Sequence, residues 1–204
     1  MRGCVWLAML VACGGSEDPA AIDGPGTTDP DAVIDGVNSG IDTPPTDMAI
    51  SSTVLAEGAA FPEVHTCGTA GDAANTSPPL AWVGPPAGTL SFAVVFTDRI
   101  GLIHSVIYDI PATATSLPVD VEKTFAPANV LGAHQTITLG GVTFGYAGPC
   151  PPPGAAVHTY EFELFALDVA TLPGADMTTT QSQARTLILA HDLASVELTG
   201  TYQR

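Results

Sequence analysis

Asp98, His104, His158 and Tyr160 are the side chains of this sequence whose types and spacing could do chemistry. A carboxylate beside an imidazole favours the charged ring and fixes its orientation, and two imidazoles with a phenol supply donors for the oxygens of a small anion. Two His and one Asp also match the facial ligand set of a non-haem iron site, so a metal-dependent enzyme is the alternative use of the same residues. Other enzyme chemistry finds no motif. The chain has no GxSxG elbow, no HExxH pair and no phosphate-binding P-loop, and the serine of its SPPL run has no His near it in sequence. The residues alone leave open both a binding site, with no catalytic residue, no cofactor and no metal, and the metal-dependent enzyme.

Three segments must bring these residues together. Gly145 to Tyr160, GYAGPCPPPGAAVHTY, is rigid because each proline fixes its own φ and restricts the residue before it, so residues 149–153 can hardly be helix or interior strand. Gly148 and Gly154 bracket that run and can adopt backbone conformations closed to other residues. Beyond the loop, HTYEFELFALDV alternates like a strand, which puts His158, Tyr160, Phe162 and Leu164 on one face with the first two at its mouth. Asp98 ends one apolar strand and His104 opens the next, and the short turn RIGLI between them can hold the pair close.

Turn residues recurring between short apolar runs give an all-β sandwich or barrel. Strands are expected near 49–56, 90–97, 103–110, 135–144, 159–169 and 195–202. One helix is expected over Gln181 to Ala194, with an N-cap among Thr178 to Thr180 and Ala184, Leu187, Ile188 and His191 on its apolar stripe. On that stripe His191 reads as a packing residue. His134 and His65 lack carboxylate or Cys neighbours at tight metal spacing, and His65, close to Cys67, is kept as a rim residue.

The loop and its HxY continuation resemble a signature of the phosphatidylethanolamine-binding protein family, in its bacterial Raf-kinase-inhibitor-like branch. Ser77 to Trp82 (SPPLAW), Leu90 to Asp98 (LSFAVVFTD), His104 to Pro111 (HSVIYDIP), Tyr160 to Asp168 and Leu198 to Arg204 (LTGTYQR) resemble further landmarks in the family's order, from about Met48 to Arg204. The resemblance implies an antiparallel sandwich of a large and a small sheet, with a C-terminal helix packed on the sheet. It also implies that Asp98, His104, Gly148, Pro149, His158 and Tyr160 line a small cavity for phosphate-like anions or phospholipid head groups. The sequence departs from the family pattern after Asp98, where Arg99, Ile100 and Gly101 replace a Pro, a second Asp and a longer loop. Ser105 stands where many relatives have Trp, and Thr159 where Arg is common. Arg99 is thus expected as a rim charge from the shortened turn. Relatives also inhibit kinases or serine proteases, which makes inhibition of an extracytoplasmic serine protease the second functional reading.

Composition sets the surroundings. Formal net charge is −16 with only five Lys and Arg, which argues against nucleic acid and against an anionic membrane surface as partners. Residues 1–12, MRGCVWLAMLVA, carry one Arg and a short apolar run before Cys13 and read as a lipoprotein-type signal peptide cut before a lipidated Cys13. An ordinary export signal is the alternative. Residues 13–47 read as the lipidated cysteine and a disordered tether of Asp, Gly and Pro, since 14–47 hold eight acids and no base and lack the closing Glu of a calcium loop. Residues 48–204 form one domain of adequate size for a core. The chain is thus expected to be an exported, membrane-anchored bacterial lipoprotein, periplasmic or facing outward, that meets the membrane through its anchor alone. Cys67 and Cys150, left after the leader and the lipidated residue, are expected to form a disulfide that fixes the proline loop; reduced buried thiols or metal ligation beside His are the alternatives.

Overall fold

The computed structural model describes residues 47–68, 74–141 and 143–204. The expected leader, Cys13 and all of the tether but Asp47 lie outside them. Among the described residues no helix is long and apolar enough to cross a membrane.

The strands are β1 (Ala49–Ser51), β2 (Leu80–Val83), β3 (Ser91–Asp98), β4 (Leu102–Pro111), β5 (Ser116–Leu117), β6 (His134–Gln135), β7 (His158–Leu167) and β8 (Asp192–Tyr202). Among the described residues one helix, α1 (Gln181–Leu189), and a single 3-10 turn at Glu63–His65 complete the elements. All strand pairings are antiparallel, in a three-stranded sheet of order β1-β2-β5 and a five-stranded sheet of order β6-β4-β3-β7-β8.

Strand alternation builds two cores on the two faces of the large sheet. Phe92, Val94 and Phe96 of β3 and Tyr160, Phe162, Leu164 and Ala166 of β7 meet Leu80 and Trp82 of β2 and Leu117 of β5 in one cluster. Ala93 and Val95 of β3 and Phe165 and Leu167 of β7 face the other way, against Ala184 and Ile188 of α1. The period-2 pattern thus places one sheet and one helix on opposite sides of β3 and β7. Helix α1 begins with a full capping box, in which the Thr180 side chain accepts from the Gln183 N–H and the Gln183 side chain returns a bond to the Thr180 N–H.

Several boundaries differ from expectation. The helix ends at Leu189, because residues from Asp192 onward pair with β7 instead. His191 is therefore off the helix, and its Nδ1 lies 2.9 Å from Asp168 Oδ1 at the surface. Of the strand expected at 135–144 only His134–Gln135 pairs regularly, because Gly140 and Gly141 turn the chain back with φ of 95° and 73° and leave an isolated bridge from Ile137 to Phe144. The first strand stops at Ser51, short of residue 56. Strands β2 and β5 and the 3-10 turn were not expected.

Candidate functional site

Strands β3 and β4 and the start of β7 converge at one end of the large sheet. Asp98 closes β3 on the same face as Phe96, opposite Tyr160 of β7 and paired with Leu102 of β4. A connection of only three residues joins β3 to β4, with the Gly101 N–H donating to the Asp98 carbonyl at 2.8 Å and Gly101 at φ 101°. The expected proximity of Asp98 to the start of β4 follows from this tight turn.

His104 reaches the same face through a β-bulge. Phe96 pairs with Ser105 and Thr97 with Ile103, so His104 is an extra residue on β4. Such an insertion locally breaks alternation and re-aims a side chain. The His104 ring packs edge-on against Phe96 at 5.6 Å and against Tyr160 at 5.5 Å between centroids, while the His158 ring stacks on Tyr160 at 6.2 Å. Tyr160 therefore sits between the two imidazoles.

These groups line a cavity of about 310 Å³ together with Cys67, Asn75, Gly148, Cys150, Pro151 and Pro152. Its mouth carries the apolar side chains of Ile100, Leu102 and Leu139, all exposed. Both imidazoles are anchored through one ring nitrogen. His158 Nδ1 lies 2.7 Å from Asp98 Oδ2 and His104 Nδ1 lies 3.0 Å from the Ala147 carbonyl oxygen. Burial pulls the His104 pKa below its usual value, although the Ala147 carbonyl and the Asp98 carboxylate act in the opposite sense. The Tyr160 hydroxyl is fully buried, and although the Asp98 carboxylate and the Cys150 N–H lie near it, neither meets it with good hydrogen-bond geometry. Burial first, and the nearby Asp98 carboxylate second, raise its pKa far above the usual phenol value, so it remains an O–H donor at all ordinary pH values.

The proline loop is fixed from several sides. Cys67 and Cys150 form a disulfide with Cα atoms 5.3 Å apart, and both line the cavity. The Cys67 N–H donates to the Pro149 carbonyl at 3.1 Å, and the Gly154 N–H donates to the carbonyl of Arg204 at 3.0 Å. Gly148 is required by close approach to the protein itself: a Cβ there would overlap the His65 carbonyl oxygen and come within 2.8 Å of Asn75 Oδ1. Its N–H donates to Asn75 Oδ1 at 2.6 Å.

Of the residues expected at the site, Asp98, His104, Gly148, His158 and Tyr160 share this cavity, and three others do not. Pro149 is outside the lining, which its neighbours Cys150, Pro151 and Pro152 supply. Arg99 is not a rim charge, because its guanidinium is bound on the other face of β7 by Glu161 at 2.6 Å and Glu197 at 2.7 Å. His65 is buried inside the 3-10 turn, with Nδ1 2.8 Å from the Thr76 carbonyl and its own carbonyl accepting from Tyr146 Oη at 2.8 Å. Asn75 was not singled out from sequence. Its position two residues before the SPPLAW run was the available signal, and its contact with Gly148 spans 73 residues.

Among the described residues no group of three or more His, Cys, Asp and Glu side chains is placed to hold a metal ion. His134, read without a carboxylate neighbour in sequence, pairs with Asp109 at 2.9 Å, away from the cavity lining.

A sequence profile of the phosphatidylethanolamine-binding protein family matches residues 51–203. The chain is 35% identical over 164 residues to a UPF0098 protein of Aquifex aeolicus, an alignment covering 77% of this chain and 89% of that one. It is 33% identical over 162 residues to a protein of Mycobacterium tuberculosis named "Putative lipoprotein LppC", covering 76% of this chain and 72% of the other. The crystal structure of Escherichia coli YbcL, described as a new member of the mammalian PEBP family, matches with a TM-score of 0.70 at 32% identity, over 77% of this chain and 98% of that one.

Proposed function

The chain belongs to the phosphatidylethanolamine-binding protein family, and from that premise we propose that its cavity binds a small phosphorylated anion or a phospholipid head group without catalysing a reaction. The observation that carries this reading is the convergence of two imidazoles from different strands around a buried phenol whose hydroxyl has no good partner within the protein. A buried polar group left unpaired costs free energy, and a bound oxygen atom would relieve that cost. Binding is favoured over catalysis because the lining offers no activated nucleophile. Its two cysteines are joined to each other, and among the described residues the lining holds no Ser or Thr and one hydroxyl, that of Tyr160.

The same proposal places the domain outside the cytoplasm on a lipid anchor at Cys13. Supporting this are the leader-like first twelve residues and a relative that bears a lipoprotein name. With only four basic residues in 48–204, neither nucleic acid nor an anionic membrane surface is proposed as a partner.

Isothermal calorimetry with inorganic phosphate at pH 6 tests the reading. The full chain is expected to bind, and the His104→Ala, His158→Ala double variant to lose at least tenfold in affinity. Equal affinity in the two proteins would remove the imidazoles from the account.

A further inference from the structure

Both cavity imidazoles are held through Nδ1, and this decides what their other nitrogens can do. His104 Nδ1 faces the Ala147 carbonyl oxygen at 3.0 Å, and a carbonyl can only accept, so Nδ1 carries the proton. His158 Nδ1 faces Asp98 Oδ2 at 2.7 Å, where an ionised carboxylate likewise only accepts. A neutral imidazole protonated on Nδ1 has a lone pair and no hydrogen on Nε2. Until a ring takes up a second proton, its remaining nitrogen is an acceptor and meets an anion oxygen lone pair to lone pair.

For His104 the neighbouring groups leave this in place. Facing the rings are Asp98 from β3, Tyr160 from β7 and, behind Phe96, the buried Tyr146. No Lys or Arg is among the described lining residues. Arg99 is bound by Glu161 and Glu197, and the Arg204 guanidinium reaches Cys150 Sγ at 3.6 Å without joining the lining. The Gly148 N–H is engaged by Asn75 Oδ1. That bond sets the Asn75 amide so that Nδ2 is its second hydrogen-bonding end. Among the described residues the donors on offer are therefore the Tyr160 hydroxyl and Asn75 Nδ2, and the acceptor is Nε2 of His104.

Resting on the anion-binding reading, we propose that the cavity selects oxyacids that bring their own proton, inorganic phosphate and phosphate monoesters as monoanions, over tetrahedral anions without one, such as sulfate or a phosphodiester. A P–OH group donates to an imidazole Nε2, while the unprotonated oxygens accept from Tyr160 and Asn75. Sulfate has the same shape but no hydrogen to give, so the His104 acceptor stays unpaired against it. Sites built to pair with a ligand hydroxyl discriminate strongly against an analogue lacking it for this reason.

The pH dependence follows with a definite sign. Because His104 is held below its usual pKa by burial, its ring is neutral in neutral solution and gains a second proton only in more acidic solution. Once protonated, Nε2 becomes a donor and the requirement for a proton on the ligand disappears. Sulfate, whose charge is constant over this range, should therefore bind more tightly as pH falls. A phosphate monoester already carries a proton in much of its population near pH 6.

The test is calorimetry of the full chain with methyl phosphate, dimethyl phosphate and sulfate, each at pH 6.5 and pH 5. Methyl phosphate is expected to bind at least tenfold more tightly than either competitor at pH 6.5, with the gap to sulfate closing at pH 5. Equal affinities at pH 6.5, or tighter binding of dimethyl phosphate, would overturn the selection while leaving anion binding in place. Absence of binding by all three at both pH values would overturn both.

Discussion

The Tyr160 hydroxyl concentrates the case for a ligand at the level of a single atom. It lies in the interior, between two imidazoles, with no good hydrogen-bond partner. Folding alone gains nothing from that arrangement, since a buried unpaired hydroxyl costs on the order of 1–3 kcal/mol. Replacing Tyr160 by Phe keeps the ring that packs on Phe61 and Phe96 and removes only the oxygen. The Tyr160→Phe variant is accordingly expected to be more stable than the parent by about 1 kcal/mol in urea unfolding and to bind phosphate less tightly. A variant that is less stable would show that the hydroxyl is satisfied inside the protein and has no ligand to wait for. His104 and His158 differ from Tyr160 in already having one protein partner each, which fixes their rings and leaves Nε2 as the second site. His134 and His191 also pair with carboxylates, Asp109 and Asp168, so an Asp–His contact alone does not mark a site in this molecule. The convergence of two imidazoles on one cavity distinguishes it from those two contacts.

At the scale of elements, the site is made by a tight hairpin, a bulge and a stapled loop. Gly148→Ala probes the loop, because the new Cβ would collide with the His65 carbonyl, a backbone atom, and crowd Asn75. Its expected cost is about 2–3 kcal/mol of stability in urea unfolding, with phosphate binding weakened because Asn75 and the cavity wall must shift together. Unchanged stability would mean that the loop does not pack against the 3-10 turn as described. Sequence already carried the backbone of this arrangement: the alternation in β7 put His158 and Tyr160 on one face, the short turn after Asp98 tied that residue to the start of β4, and the capping pattern at Thr180 located α1. Other features were hidden for physical reasons. His104 lies in HSVIYD, where no Gly or Pro marks it as the extra residue of a bulge. Arg99 was expected at the rim because a cation beside an anion site is plausible locally. Its actual partners, Glu161 and Glu197, are 62 and 98 residues away and known only once β7 and β8 pair. The run TITLGGVTF alternates well enough to suggest a strand, yet its two glycines at positive φ fold it into a turn.

Across the whole molecule, a sandwich of two sheets with a helix on the outer face leaves the strand ends and the proline loop to form the cavity. The chain carries a formal charge of −16, so its overall field repels an approaching anion instead of steering it inward. Affinity must then arise locally, from directed hydrogen bonds and from protons supplied by the ligand or taken up by imidazole, which ties binding to pH. The central claim is that residues from β3, β4, β7 and the segments around Asn75 and Gly148 hold one anion between them. A crystal of the protein soaked in phosphate at pH 6 tests it most directly. The expected result is a tetrahedral ion in the cavity, with oxygens at hydrogen-bond distance from Nε2 of His104, Nε2 of His158 and the Tyr160 hydroxyl. Phosphate bound elsewhere, with only water against those three atoms, would contradict it.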